Sequence, residues 1–161
     1  MSEQTSPMSE SSASSQLQKA GKYLTFVLAN EDYGLGILKV REIIGIMDIT
    51  AVPQMPSYVK GVINLRGKVI PILDLRLKFS MEEIAHTPET CIIVVDVDGT
   101  LIGVIVDQVS EVLDIAAEDI EDPPSIGKTV STDFILGMGK TKGSVKILLD
   151  IDKVLSEDGL N

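Results

Sequence analysis

Laid over itself, the chain repeats. Tyr23-Leu24-Thr25-Phe26-Val27-Leu28 matches Ile92-Ile93-Val94-Val95-Asp96-Val97 without gaps, an offset of 69 residues (92 − 23). The same offset sets Gly34 on Gly103, Ile37 on Val106, Val40 on Val109, Glu42 on Glu111 and Ile43 on Val112. A second block repeats at 76 (137 − 61): Gly61 falls on Gly137, Gly67 on Gly143, Val69 on Val145 and Asp74 on Asp150. Two blocks in the same order, with one change of offset, indicate an internal duplication. Each copy spans only about 60–75 residues, a size at which a lone hydrophobic core is marginal. The two halves must therefore pack on one another.

Each half reads as β. Asn30-Glu31-Asp32 and Asp98-Gly99-Thr100 separate apolar runs in the manner of hairpin turns. Pro53 and Pro56, then Pro123 and Pro124, break the chain at comparable points. Residues 67–74 read as a strand that Pro71 confines to an edge or a bulge. Helix is minor: one turn over residues 56–60 and a short C-terminal helix over residues 152–160. The expected architecture is two pseudo-symmetric β-barrels with a groove between them, the kind of junction where partners bind.

Composition narrows the function. Of the 161 residues, 44% are hydrophobic but only 4% aromatic, so Ile, Val and Leu must build the core. A net charge of −10, with no basic stripe, disfavours nucleic acid and anionic membrane surfaces. No apolar run reaches the roughly 18 residues of a membrane span, so no direct membrane insertion is expected. Residues 1–15 are rich in Ser and lack a basic, apolar leader, so residues 1–19 read as a disordered tail and the chain as cytoplasmic. Cys91 is the single cysteine and sits in an apolar run, where a small buried hydrophobe is expected. His86 is the single histidine, so zinc has no ligand set. No metal or cofactor is expected.

Gly61-Val62-Ile63-Asn64-Leu65-Arg66-Gly67-Lys68 superficially suggests a phosphate loop, but five residues separate the glycines where four are needed. Val69 also stands where the magnesium-binding hydroxyl should be. The shared Gly61, Gly67 and Asp74 suit turns and a strand-end cap. Asn64, Arg66 and Pro71 do not recur; Lys140, Lys142 and Ile147 replace them. Asn64 suits a local backbone hydrogen bond. The planar fork of Arg66 suits either a partner carboxylate or an internal salt bridge.

The pattern Val59-x-Gly61-x-x-Asn64-x-Arg66-Gly67-x-x-x-Pro71-x-x-Asp74-Leu75 resembles the signature of the CheW-like domain. Tyr33 to Ile43 and Ile102 to Leu113 are similar to the family's hairpins, so the likeness covers residues 20–157, in halves 20–88 and 89–157, with 158–161 as a tail. It implies a mainly β fold of two five-stranded, SH3-like barrels and a scaffold role without catalysis. The absence of further domains leads us to expect a free-standing coupling member of the family. Its implied partners are the regulatory domain of the histidine kinase CheA, at the barrel ends, and the cytoplasmic tips of methyl-accepting chemotaxis receptors, in the groove. Through those contacts it would be recruited to membrane receptor arrays. By position, Ile37, Val40, Val109 and Val112 are the expected groove residues, Glu42 and Arg66 its polar anchors, and Gly61, Asn64 and Gly67 the residues that shape its loop.

Two other classes compete. Asp96 and Asp98, or the run Glu118, Asp119, Glu121 and Asp122, would serve a small metal-dependent enzyme, but the run lacks calcium-loop spacing. A generic SH3-like peptide binder would need an aromatic-lined groove, which this composition scarcely supplies.

Overall fold

The computed structural model of the chain describes residues 19–124 and 132–156. Most of the expected N-terminal tail, the expected C-terminal tail and the end of the expected C-terminal helix thus lie outside the described residues. Eleven strands account for most of the rest: β1 (Gly21–Leu28), β2 (Glu31–Gly36), β3 (Val40–Gly45), β4 (Val59–Leu65), β5 (Lys68–Asp74), β6 (Cys91–Val97), β7 (Thr100–Val106), β8 (Gln108–Ile115), β9 (Ile120–Glu121), β10 (Ile135–Thr141) and β11 (Ser144–Leu149). Two short helices, α1 (Leu75–Lys78) and α2 (Ile151–Ser156), follow β5 and β11. The fold is mainly β, with two sheets curved into SH3-like barrels.

Neither sequence repeat closes its own barrel. One sheet runs β8-β1-β2-β11-β10-β9 and the other β3-β6-β7-β5-β4, so each repeat lends its first hairpin to the other. The pairing obeys the repeat offsets: Tyr23 opposite Leu113 in one sheet corresponds to Ile92 opposite Ile44 in the other. The exchanged hairpins are seated by parallel pairs, Leu148 with Gly34 and Ile72 with Gly103. The six-to-five strand count arises because β9 pairs with β10, whereas its counterpart in the first repeat is a single bridge from Thr50 to Val62.

The exchange explains the unbroken apolar runs. In β6, Ile92 and Val94 fill the interior of one barrel, while Ile93, Val95 and Val97 face a larger core between the sheets. From the other side Leu24, Phe26 and Leu28 of β1 join that shared core. Strands buried on both faces lose the alternating pattern. Gly103 recurs as Gly34 for the same reason, since a Cβ at Gly103 would lie 2.6 Å from Ile72 Cδ1 and 2.7 Å from Ile92 Cγ2. Four of the six Phe and Tyr residues form one stack across the halves, with centroids 5.7 Å apart for Phe26–Tyr33, 6.2 Å for Tyr33–Phe79 and 5.4 Å for Phe79–Phe134.

Several local expectations need correction. The first hairpin turns at Ala29-Asn30, with φ of 50° and 67°, so Glu31 and Asp32 already belong to β2. Residues 56–60 form no helix: Val59 N–H donates to the Pro56 carbonyl at 3.0 Å, closing a turn that leads into β4. Helix α1 was not anticipated, although Asp74 caps it by accepting from Arg76 N–H at 2.9 Å and Leu77 N–H at 3.3 Å. Burial pushes the Asp74 carboxyl up despite those two donors. Pro71 is tolerated because β5 gains its second neighbour only from Ile72 onward.

Candidate functional site

Strands β3 and β8 lie at sheet edges, and each carries one extra residue at the matching place. Pairing slips between Val40 and Glu42 in one sheet and between Leu24 and Phe26 in the other, so Arg41 and Ser110 bulge. A bulge reverses the facing of whatever follows it. Val40 therefore pairs with Val95 on the shared-core face, whereas Glu42 pairs with Val94, which points into the barrel interior.

This separates the expected site residues into two groups. Ile37, Val40 and Val109 pack as half-buried side chains against the shared core. Val112, opposite the core residue Leu24, is 49% exposed. Its repeat twin Ile43, opposite Ile93, is 44% exposed. Sequence reading named Val112 and missed Ile43, although the offset of 69 pairs them directly. Together Val40, Ile43, Val109 and Val112 make an apolar margin along the two edge strands of the shared core.

Glu42 and Arg66 stand instead at the mouth of the first barrel, lining a cavity of about 350 Å³ with Arg41, Leu65, Ile70 and Val94. The Arg66 guanidinium donates to Glu42 Oε2. It does so from the β4–β5 turn, where Arg66 and Gly67 have φ of 51° and 89°, as a two-residue hairpin loop requires. Asn64 Oδ1 accepts from Gly67 N–H at 2.8 Å and fixes that turn. Gly61 is not in the loop. It lies within β4 with φ +142°, and a Cβ there would sit 2.0 Å from the Thr50 carbonyl oxygen. The 70% exposed Arg66 side chain keeps further donors turned to solvent.

Three of the candidate enzymatic groups, Asp96, Glu121 and Asp122, are engaged in local tasks. Asp96 accepts from Gly99 N–H at 2.8 Å and from Arg41 at 2.9 Å; these two bonds hold its carboxyl below the usual range. Glu121 pairs with Lys140 at 2.8 Å and Asp122 with Lys19 at 3.4 Å. Among the described residues, no three His, Cys, Asp or Glu side chains gather around a point that would hold a metal ion. Cys91 is half-buried and burial pushes its thiol up, away from the reactive thiolate. An apolar margin, an arginine at a barrel mouth and well-spent carboxylates suit protein recognition.

Comparison with known proteins agrees. The family model of the CheW-like domain matches residues 22–159. The chain is 40% identical over 137 residues to the chemotaxis protein CheW of Klebsiella aerogenes, covering 85% of this chain and 82% of that protein. It is 32% identical over 143 residues to the chemotaxis protein CheW of Treponema pallidum, covering 85% and 83%. The crystal structure of the scaffolding protein TtCheW from Thermoanaerobacter tengcongensis superposes with a TM-score of 0.79 at 36% identity, covering 87% of this chain and 95% of that one. This chain belongs to the CheW-like domain family.

Proposed function

We propose that the protein is a non-catalytic chemotaxis scaffold that couples the cytoplasmic tips of chemoreceptors to the regulatory domain of the histidine kinase CheA. The observation that carries this reading is the likeness to CheW proteins, for one of them at 40% identity over 85% of the chain. The apolar margin of Val40, Ile43, Val109 and Val112 gives it a physical basis. A helical partner is held by apolar side chains meeting such a strip, while polar groups fix its orientation. Arg66 is the proposed polar anchor, its remaining donors free to meet a carboxylate of the receptor.

Binding of the purified full-length chain to a receptor cytoplasmic fragment and, separately, to the CheA regulatory domain tests this. Tight binding to both is expected. Ile43→Glu and Val112→Glu, at the two exposed positions of the margin, should each weaken binding of the receptor fragment by about 100-fold or more, since a carboxylate is then buried against an apolar helix. Kinase binding and the far-ultraviolet circular dichroism should stay as in the parent. Failure to bind either protein would overturn the reading.

A further inference from the structure

The two repeats treat one region in opposite ways. In the first repeat, the space beside α1 is filled. Val106 is 1% exposed there, and Ile105, Asp74 and Thr90 are also buried. Arg76 lies over Asp107 in a two-point ion pair, Nε to Oδ1 at 2.8 Å and NH2 to Oδ2 at 2.7 Å. The chain leaving α1 then folds back on top: Arg76 NH1 donates to the Glu82 carbonyl at 3.0 Å, and Lys60 holds Glu83 at 2.6 Å.

The same offsets locate the twin of this region beside α2, where Ile37, Gly36, Asp150 and Gly21 replace those four buried residues. All four are solvent-accessible and line an open, mainly apolar cleft of about 580 Å³. Leu38, standing where the first repeat has Asp107, is 94% exposed. Asp152, standing where the first repeat has Arg76, gives one carboxylate oxygen to Lys39 at 2.7 Å. Its other oxygen, Oδ1, is buried with no hydrogen-bond partner among the described residues. A buried acceptor left in that state is costly.

The filled twin indicates both the shape and the chemistry of an occupant. It is covered by a stretch of chain without helix or strand, and the open cleft has room for a similar segment. Where the twin offers the donor Arg76, the cleft offers an acceptor; where the twin has Lys60, the cleft has Leu136. The chain that follows α2 carries Glu157 and Asp158, which repeat the charge of Asp150 and Asp152 and bring no cation. The rim lysines Lys19, Lys22 and Lys39 are already paired with Asp122, Asp114 and Asp152.

We propose that this cleft is a docking site for an extended segment of a partner protein that places an apolar side chain next to a Lys or Arg. The apolar group covers Leu38 and Leu136, and the cation lies against the accessible parts of the Asp150 and Asp152 side chains that line the cleft. The site is separate from the apolar margin of the edge strands and does not depend on the coupling role.

Amide chemical shifts of the full-length chain, titrated with two blocked peptides, test it: acetyl-Gly-Leu-Arg-Leu-Gly-amide and the same peptide with Glu for Arg. The Arg peptide should shift Gly21, Gly36, Leu38 and Asp150 to Asp152, and bind at least about tenfold better than the Glu peptide. Leu38→Asp, which installs the first repeat's residue on an exposed side chain, should abolish the shifts without unfolding the protein. No shifts, equal response to both peptides, or shifts confined to Val40 and Val109 would overturn the proposal. So would movement of the Glu157 to Asn161 signals in Leu38→Asp alone, which would identify the chain's own end as the occupant.

Discussion

The two edge strands invite comparison because their backbones agree and their side chains do not. Both β3 and β8 bulge at the same repeat position. In β8 the irregularity is closed from within: Thr25 Oγ1 donates to the Glu111 carbonyl at 2.7 Å and accepts from Glu111 N–H at 3.1 Å. In β3 the matching position is Val94, which has no hydroxyl, and Glu42 reaches out to Arg66 instead. The bulge is thus part of the fold, while the ion pair at the mouth of the first barrel belongs to one copy alone. A second contrast runs through the helix junctions, where a largely buried, two-point Arg76–Asp107 pair answers a more accessible, one-point Lys39–Asp152 pair.

The sharpest test of equivalence is the glycine pair. Gly61→Ala should destabilise the protein by about 3 kcal/mol or more, because a backbone carbonyl occupies the site and φ is positive. Gly137→Ala should cost less, about 1–2 kcal/mol, because its nearest obstacle is the Ile120 methyl at 2.7 Å, with the Glu121 carbonyl oxygen at 3.0 Å. Urea denaturation measures both; equal losses would break the asymmetry.

Next in size is Arg76→Ala, with an expected loss of about 2 kcal/mol, against less than about 1 kcal/mol for Lys39→Ala. The pairs also differ in acid. The Arg76 guanidinium, ahead of the Ala29 N–H, holds the Asp107 carboxyl below its ordinary value. A depressed carboxylate contributes stability that is present above the unfolded pKa of about 3.9 and lost as pH falls through the folded value. Asp107→Asn should therefore lower stability at neutral pH and flatten the acid limb of the stability profile.

The smallest stability effect belongs to Arg66→Ala, within about 1 kcal/mol for so exposed a pair. Its receptor affinity should nonetheless fall by about 2–5 kcal/mol if the guanidinium meets a partner carboxylate, with Arg66→Lys recovering only part. Clear thermal destabilisation with unchanged affinity would return Arg66 to the scaffold. Melting curves and titrations on the same three proteins separate the two.

What the sequence could reveal follows from what is local. Tight turns, the Asn64 bond and the twin positions of Val40 and Val109 all rest on nearby residues or on self-similarity. The hairpin exchange does not, because β1 and β6 have matching apolar patterns and either would fit either sheet. The bulges were hidden as well, since an extra residue shows only against its partner strand. This is why Val40 and Glu42, two apart and expected side by side, point to opposite faces. Arg76 and Asp107 lie 31 residues apart, with no periodicity to connect them. Helix α1, by contrast, was within reach: Asp74 repeats as Asp150, and the helix expected after one was available for the other.

The hairpin exchange also dictates an order of events during synthesis. A nascent chain that has emerged only to residue 90 holds β1 to β5, yet neither sheet is complete, since β6 and β7 form the middle of one and β8, β10 and β11 belong to the other. The first hairpin made must wait for β11, whose Leu148 pairs with Gly34 across more than a hundred residues of chain. Contacts this distant in sequence slow folding and leave strand edges open in the interval. The protein therefore completes its fold only after its last strand leaves the ribosome.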